Sequence, residues 1–547
     1  KARSPAEPHP REPSDGQRSE PDEPTPPARE EPPELEPPTR KDEPPRPPPP
    51  PAGDLEAKGE LCLRAHPDLA SLFSKWAVLR GQTRTRPNPT DVRLHMTRQW
   101  KLYTNYREVM DDYGEVFMSD RDGSSEVYDG SPSTLHFRVN SSRPEVFDIV
   151  TTVLSDMHNW VELPSDLGLK TTWNLLWTWS RPRVDYDKLL SWQRVNHYPH
   201  ARHLTRKDLL ARAIQRFQGL CERGKHEGYF DITPETFLLP QDYAKLVQAF
   251  RRKLGERNLW ILKPASSSRG RGITVVDSLE DITYDQLVVA QSYIPRPMCL
   301  GGHKFDLRLY VLVTSFNPLE AWLYDEGFAR VATRPFSSDD VSDKFVHLTN
   351  ASIQRHNATT HELYGPLVGA SEDEAAGTKC TLRYLWRQLE KDRDVVRIRE
   401  DIDLLILKSL VCAEDRIPHQ ACAFELFGYD VLLDEDARPW LLEVNASPSM
   451  ARDTPLDKRV KECLIRDTIR LVDPKPYDRG AVADIFDRRL AATQQAPLAR
   501  DLGALLPHGP PRIIGDDPAA PGQYRRLAPS GRHDAVRRVK RAVCRSS

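Results

Sequence analysis

The first clear alternation of apolar and polar positions is "STLHFRV" (133–139), which predicts a β-strand. In "SSRPEVFDIVTTVLSDMHNW", Val146, Ile149, Val150, Val153, Leu154 and Met157 recur at helical spacing and make one apolar face. Ser142 and Glu145 are placed to form a capping box, with Pro144 in the first turn. "WNLLWTWS" (173–180) predicts the next strand, and the strand–helix–strand order suggests a small α/β unit. Helices are predicted to begin at "HLTRKDLLARAIQRFQ" and at "QDYAKLVQAFRRKL". "LWILKP" predicts a short buried strand, with alternating strands and turns to about residue 350. "CTLRYLWRQL" and "DVVRIREDIDLLILKSLV" read as helices, and "FGYDVLLDEDARPWLLEVNA" as a hairpin. "PLDKRVKECLIRDTIRLV" closes the ordered part as a helix.

Composition changes this picture at the two ends. Residues 1–53 are Pro, Glu and Arg with almost no aromatics, too little apolar surface to offset ordering entropy, and predict disorder with polyproline II stretches. That arm reads as a spacer or as a ligand for a proline-reading domain. Residues 54–87 carry no clear pattern, and ordered structure is expected from near Asp91. The final stretch, "YRRLAPSGRHDAVRRVKRAVCRSS", is strongly basic and predicts a solvated tail or a contact for an acidic partner. The whole chain of 547 residues has a formal net charge of -2, so it is not a polyanion binder in bulk, and its length predicts several domains. The eight cysteines show no CxxC spacing and read as free thiols of a reducing compartment. No apolar run approaches the roughly 18–20 residues of a membrane span, and no secretory signal is visible.

Three segments carry candidate chemistry. In the hairpin, Glu435, Asp436, Ala437 and Arg438 form the turn. If Asp434 faces Pro439, counting outwards sets Asp430 against Glu443, with Asn445 on the same face. Like charges directly opposite are destabilising unless a cation lies between them, and oxygen ligands suit Mg²⁺. The alternatives are a wet sheet edge or an arginine partner for Glu443. In "HKFDLRLYVLV" (303–313), Lys304, Asp306, Arg308 and Tyr310 alternate with Phe305, Leu307, Leu309 and Val311. With Arg330 in a nearby strand-like segment, those cations are suited to a polyphosphate, or the strand has an ordinary exposed polar face. In "WILKPASSSRGRGITVV" (260–276), Gly270 and Gly272 would let backbone N–H groups approach an anion, beside Lys263 and Arg271. This is not a Walker A loop, and an ordinary turn reads the same way. "VHLTNASIQ" adds His347, Thr349 and Asn350 as polar groups that bind ligand or cap the next segment. Together these describe a nucleotide site.

The motifs "VNHYPHARHLTRKDLL", "WILKPASSSRGRGI", "AQSYIPRP", "GGHKFDLRLYVLV", "YDEGFARVAT", "FVHLTNASIQ" and "FELFGYDVLLDEDARPWLLEVNASPS" occur in this order. With them, residues 130–475 resemble the tubulin tyrosine ligase-like family of ATP-dependent amino-acid ligases. The resemblance implies an α/β, ATP-grasp-like three-domain core between a disordered proline-rich arm (1–60) and a disordered basic tail (476–547). The implied parts are an N-terminal α/β domain (88–200), a central domain (201–293) and a C-terminal domain with the Mg²⁺ site (294–475).

The resemblance further implies that Lys263 contacts the ATP phosphates, covered by the loop through Ser268, Arg269, Gly270, Arg271 and Gly272 to Ile273. Gln291, Ser292, Tyr293 and Ile294 would border the adenine, and Lys304, Asp306, Arg308 and Arg330 would line the reacting centre. Thr349 and Asn350 would lie beside ATP and the incoming amino acid, and Asp430, Glu443 and Asn445 would hold Mg²⁺. Arg271 stands where many members carry Lys, and Ser292 where some do. The loop and the "PWLLEVNASPSMARDTPLDKRVK" run most resemble the polyglutamylase branch. That branch implies free L-glutamate joined through an acyl-phosphate to glutamate side chains of acidic tubulin tails. The expected partner is the microtubule rather than nucleic acid, with Lys458, Arg459, Lys461, Arg466 and Arg470 as well as the tail as candidate contacts. A monomer in cytoplasm and cytoskeleton, at cilium or basal body, is the expected context. Glycine ligation, a non-tubulin acidic substrate and a catalytically silent microtubule binder are the alternatives.

Overall fold

The computed structural model describes residues 134–545, apart from 164–172, 187–188, 190–191, 223–224, 253–257, 266–270, 284–285, 355, 358–362, 364, 479–480, 482–484, 486–487, 489–497, 510–511 and 513. The proline-rich arm, the expected start of order near Asp91, and Ser268, Arg269 and Gly270 lie outside the described residues.

Three sheets organise the rest. The first is parallel: β1 (Leu135–Asn140), β2 (Trp160–Glu162), β3 (Leu175–Thr178) and β4 (Arg194–Val195) in the order β2-β1-β3-β4. Helix α1 (Pro144–Ser155) crosses it and buries Val146, Ile149, Val150, Val153 and Leu154, the face read from the sequence. Its expected capping box does not form. Arg143 is the N-cap, without a side-chain cap, and Pro144 begins the helix. The Ser141 hydroxyl bonds Arg143 instead, so the local turn closes one residue earlier.

The second sheet is antiparallel: β5 (Thr236–Leu239), β6 (Trp260–Pro264), β7 (Thr274–Val276) and β8 (Val288–Ser292), in the order β5-β8-β6-β7. The segment "HLTRKDLLARAIQRFQ", read as one helix, is broken. A short turn at Arg202–Thr205 precedes α2 (Lys207–Cys221), because Arg206 between them is extended (φ -83°, ψ 127°). The break leaves Lys207 at the first position of α2.

The third sheet is built on β10 (His303–Phe316), with β9 (Cys299–Leu300), β13 (Ala375–Ala376) and β14 (Lys379–Thr381) as its short outer strands. One edge of β10 is shared end to end by β12 (Phe328–Val331) and β11 (Leu319–Tyr324), and the other is covered by β15 (Glu425–Leu433). Gly327 sits at the junction of β11 and β12, where a Cβ would meet the Arg308 carbonyl at 2.4 Å. β16 (Pro439–Asn445) pairs with β15 as the predicted hairpin. The turn is one residue longer than the count assumed, since Pro439 faces Leu433 rather than Asp434. A bulge between Val431 and Asp430 restores the offset, so Asp430 does face Glu443. The predicted pair is correct because two departures from regular counting cancel.

Helix α3 (Val395–Ala413) packs beneath this sheet, and α4 (Pro455–Val472) packs against α1. The largest apolar core runs from Leu163 to Val543, across the positions expected as domain boundaries. The expectation of a disordered basic tail is corrected here. β17 (Tyr524–Ala528) adds to the edge of β11, and α5 (Gly531–Arg545) lies on α3 and α2. The basic residues have carboxylate partners: Arg525 and Arg532 pair with Asp403, and Lys540 pairs with Glu414 at 3.0 Å and Asp415 at 2.8 Å. Leu527, Val536 and Val543 fill the core between them. A composition reading sees the charges but not their partners about 100 residues earlier.

The parallel sheet and the β10 sheet are joined through His197. Its Nδ1 lies 3.1 Å from Glu425 Oε1 and its Nε2 3.0 Å from the Thr178 carbonyl. Both partners are acceptors, so both ring nitrogens carry protons and the buried ring is an imidazolium. Burial by itself would lower the pKa of His197; the Glu425 hydrogen bond and charge, with the Thr178 carbonyl, outweigh it and raise the pKa. The stabilisation is therefore full below the unfolded-state pKa near 6.5 and is lost as pH rises through the folded value. The thermal midpoint of the protein is expected to fall over that rise in pH, with a flatter profile for His197→Leu. Parallel profiles for the two would remove His197 as the cause.

Candidate active site

The second and third sheets face each other across a cleft. β6, β8 and the turn before β7 supply Lys263, Arg271, Ile273, Gln291, Ser292, Tyr293 and Ile294. β10 and β12 supply Lys304, Asp306 and Arg330; the loop after His347 supplies Thr349 and Asn350; the hairpin supplies Asp430 and Glu443. Segments far apart in sequence thus place most of the predicted residues on one surface. Arg308 and Asn445 adjoin that lining, in contact with Asp430 and Glu443 respectively. Gly272 shapes the turn with φ +71°, where any Cβ would press on Pro264 at 3.0 Å.

The alternation of β10 does not give an exposed polar face, as one reading of that strand had it. Asp306 and Arg308 instead meet charged partners across the sheet. Arg330 holds Asp306 through two bonds of 2.7 and 2.5 Å, and Arg308 holds Asp430 through two of 2.7 and 3.1 Å. Arg330 reaches Asp430 as well, at 2.9 Å. These forked contacts fix both guanidiniums rigidly. Burial would raise the Asp430 pKa, but the two arginines outweigh it and hold the carboxyl well below the usual carboxylate range. Lys263 donates to Gln291 Oε1 at 2.7 Å, and Gln291 donates on to Thr236 at 3.0 Å. Burial pushes the Lys263 ammonium down to about 8, partly opposed by Glu443. An arriving polyanion would favour its charged form.

Lys207 was missed by sequence reasoning. Its Nζ lies 2.9 Å from Glu443 Oε2, and it lines the cleft. The signal was the "TRKDLL" start of α2, which a helix read as continuous hides. The four basic residues Arg459, Lys461, Arg466 and Arg470 of α4 do not form a free cationic stripe. They pair with Asp373, Asp457, Asp156 and Asp467 respectively.

The donor set at the hairpin fits a hard cation. Asp430 and Glu443 are cross-strand neighbours, and the Asn445 amide nitrogen is spent on Gly428 O and Glu443, both at 3.3 Å, which leaves its oxygen for a ligand. Glu443 is the accessible member, with a side chain 22% exposed against 3% for Asp430. Among the described residues no three His, Cys, Asp or Glu side chains converge as a metal cluster. An ion here would complete its shell with the amide oxygen, phosphate oxygens and water.

A cationic cleft between two antiparallel sheets, closed at one end by an acidic strand pair, is consistent with an ATP-grasp-like architecture. The model of the tubulin-tyrosine ligase family matches residues 184–480, more than half of the chain. The chain belongs to that family. It is 35% identical over 350 residues to the mouse protein named probable tubulin polyglutamylase TTLL2, covering 63% of this chain and 62% of that one. It is 38% identical over 333 residues to human tubulin polyglutamylase TTLL5, covering 58% and 25%. Against rat probable tubulin polyglutamylase TTLL9 it is 33% identical over 371 residues, covering 59% and 77%. The chain therefore spans under two thirds of the first two relatives. No described helix is long and apolar enough to cross a membrane.

Proposed function

We propose that the protein is an ATP-dependent ligase that adds glutamate to glutamate side chains of acidic tubulin tails. The observation that carries this reading is the convergence of Lys263, Lys304, Arg330, Asp430 and Glu443 on one cleft in a chain of this family. Relatives named as tubulin polyglutamylases support the choice of substrate.

In this reading Lys263, Arg271 and Lys304 bind the ATP phosphates, and Gln291 to Ile294 border the adenine. The acceptor γ-carboxylate takes the γ-phosphoryl group, giving an acyl-phosphate. The amine of free glutamate then displaces phosphate and forms the amide. Thr349 and Asn350 position that amino acid. Arg330, held from two sides by Asp306 and Asp430, meets charge on the transferring group without reorganising. Arg308 fixes Asp430 through two hydrogen bonds. Mg²⁺, held by Asp430, Glu443 and Asn445, would offset phosphate charge when bound. Catalysis is then mostly positioning and charge neutralisation.

Microtubules supply the acidic partner, and the cytoskeleton the setting. Arg538, Arg541 and Arg545 form the exposed stripe on α5 that such a partner would meet. The decisive experiment is incorporation of radiolabelled glutamate, and separately glycine, into microtubules with Mg-ATP. Glutamate labelling is expected, and the Arg538→Glu, Arg541→Glu, Arg545→Glu triple variant should weaken low-salt co-sedimentation. Glycine labelling would move the protein to the glycine-ligating branch, and no labelling of tubulin would reject it as substrate.

A further inference from the structure

Lys304 is almost fully buried, yet it has no carboxylate partner among the described residues. Its ammonium donates to the Tyr293 hydroxyl and to the His347 carbonyl, each at 2.9 Å, and lies 4.6 Å from the centre of the Tyr293 ring. An ammonium has three donors, so one N–H is left for whatever enters the cleft. What aims it is therefore the pair of oxygens from Tyr293 and His347.

With a neutral imidazole, the hydrogen bonds of this cluster have one direction. His347 Nε2 faces the Asp340 carbonyl at 2.8 Å, and a carbonyl can only accept. Nε2 therefore carries the proton. His347 Nδ1 lies 2.9 Å from the Tyr293 hydroxyl. In the neutral ring Nδ1 is then bare, so the Tyr293 hydroxyl, which accepts from Lys304, donates its own proton to Nδ1. The chain runs Lys304 N–H to Tyr293 O, Tyr293 O–H to His347 Nδ1, and His347 Nε2–H to Asp340 O. It is complete only while the imidazole is neutral.

We propose that His347 is a positioning residue: its neutral Nε2–H form orients the Tyr293 hydroxyl, and through it fixes the Lys304 ammonium where nucleotide phosphate binds. The inference rests on the ATP-site reading above but not on the identity of the amino acid or the acceptor. A second proton on Nδ1 would aim an N–H at an oxygen that already accepts from a cation. The hydroxyl proton would have to turn elsewhere, and two cationic donors would compete for one oxygen, which weakens the Tyr293 anchor of Lys304. Other charged and titratable groups facing His347 are Lys304 from β10, Tyr293 from the end of β8, and Asp340 and Asp343 from the preceding loop. Burial, the largest influence, keeps the imidazole pKa below its ordinary value, and Lys304 acts in the same sense; the Asp340 carbonyl and the two carboxylates oppose them. Phe336 packs edge-on against the ring and closes that side.

The test is ATP affinity of the full chain, measured calorimetrically across acid to neutral pH, alongside glutamate incorporation. Tyr293→Phe removes only the relay hydroxyl and keeps the ring under Lys304. His347→Leu removes the acceptor, and His347→Asn restores an acceptor oxygen near Nδ1 that does not titrate. At neutral pH, Tyr293→Phe and His347→Leu are each expected to bind ATP about tenfold more weakly, and the double variant no more weakly than either alone. Wild-type affinity is expected to fall in acid, below the ordinary imidazole value of 6.5, and His347→Asn to bind within about threefold of wild type without that acid limb. Additive losses in the double variant, or an acid limb unchanged in His347→Asn, would overturn the proposal. If ATP binds with this pattern while no glutamate is transferred, the ligase reading fails and the positioning role stands. If ATP does not bind at all, both fail.

Discussion

Glu443→Gln is expected to lower glutamate incorporation into microtubules by on the order of 100-fold or more while leaving the fold intact. Three features set that expectation. Glu443 faces Asp430 across the bulged hairpin, its side chain is the more exposed of the two, and its charge partner is the cleft lysine Lys207. Glutamine preserves the shape and the contact with Asn445 but removes one of the two carboxylates available to a cation. The loss should be partly recovered by excess Mg²⁺, since affinity for the ion falls before geometry does. Unchanged incorporation by a protein with a normal thermal midpoint would remove Glu443 from the site. Asp430 is a poorer test position. It neutralises Arg308 and Arg330, so Asp430→Asn confounds lost catalysis with buried unpaired cations.

The largest effect on stability is expected at Arg512, within the 476–547 segment expected to be a disordered tail. Glu320 on β11 is 1% exposed, and Arg512 binds it through two bonds of 2.9 and 2.6 Å, aided by the Gly515 N–H and the Thr314 hydroxyl. Arg512→Ala strands a buried carboxylate and should cost about 3–5 kcal/mol in chemical denaturation. Adding Glu320→Leu to an Arg512→Leu variant should recover much of it, because no unpaired charge remains. Burial would raise the Glu320 pKa, but Arg512 and its other partners outweigh burial and lower it from 4.5. The contribution is therefore present above the unfolded-state value and is lost as pH falls through the folded one, so the gap between wild type and Arg512→Ala should narrow in acid. A cost under about 1 kcal/mol would mean that the segment is a loose appendage.

The elements were legible wherever one apolar period ran without interruption. The face of α1 and the hairpin of β15 and β16 follow from spacing alone. The capping box failed because Ser141, one residue upstream, closes a competing turn. The helix break at Arg206 was invisible because both sides keep helical spacing, and the break decides where Lys207 points. The basic tail was misread because composition measures charge, whereas order depends on whether each charge finds a partner and each apolar residue a core.

By itself, the sequence determined which residue types were available for phosphate and cation chemistry and the order of the motifs that carry them. Covalent spacing within a strand or turn sets such things directly. The tertiary structure decided which of those residues meet. It gave Arg308 to Asp430 and Arg330 to both Asp306 and Asp430, and restored the Asp430–Glu443 pair through a bulge. It also joined a carboxylate on β11 to an arginine almost 200 residues later. Those pairings are set by strand order and burial, since a buried charge is stable only where folding brings its opposite within hydrogen-bond reach.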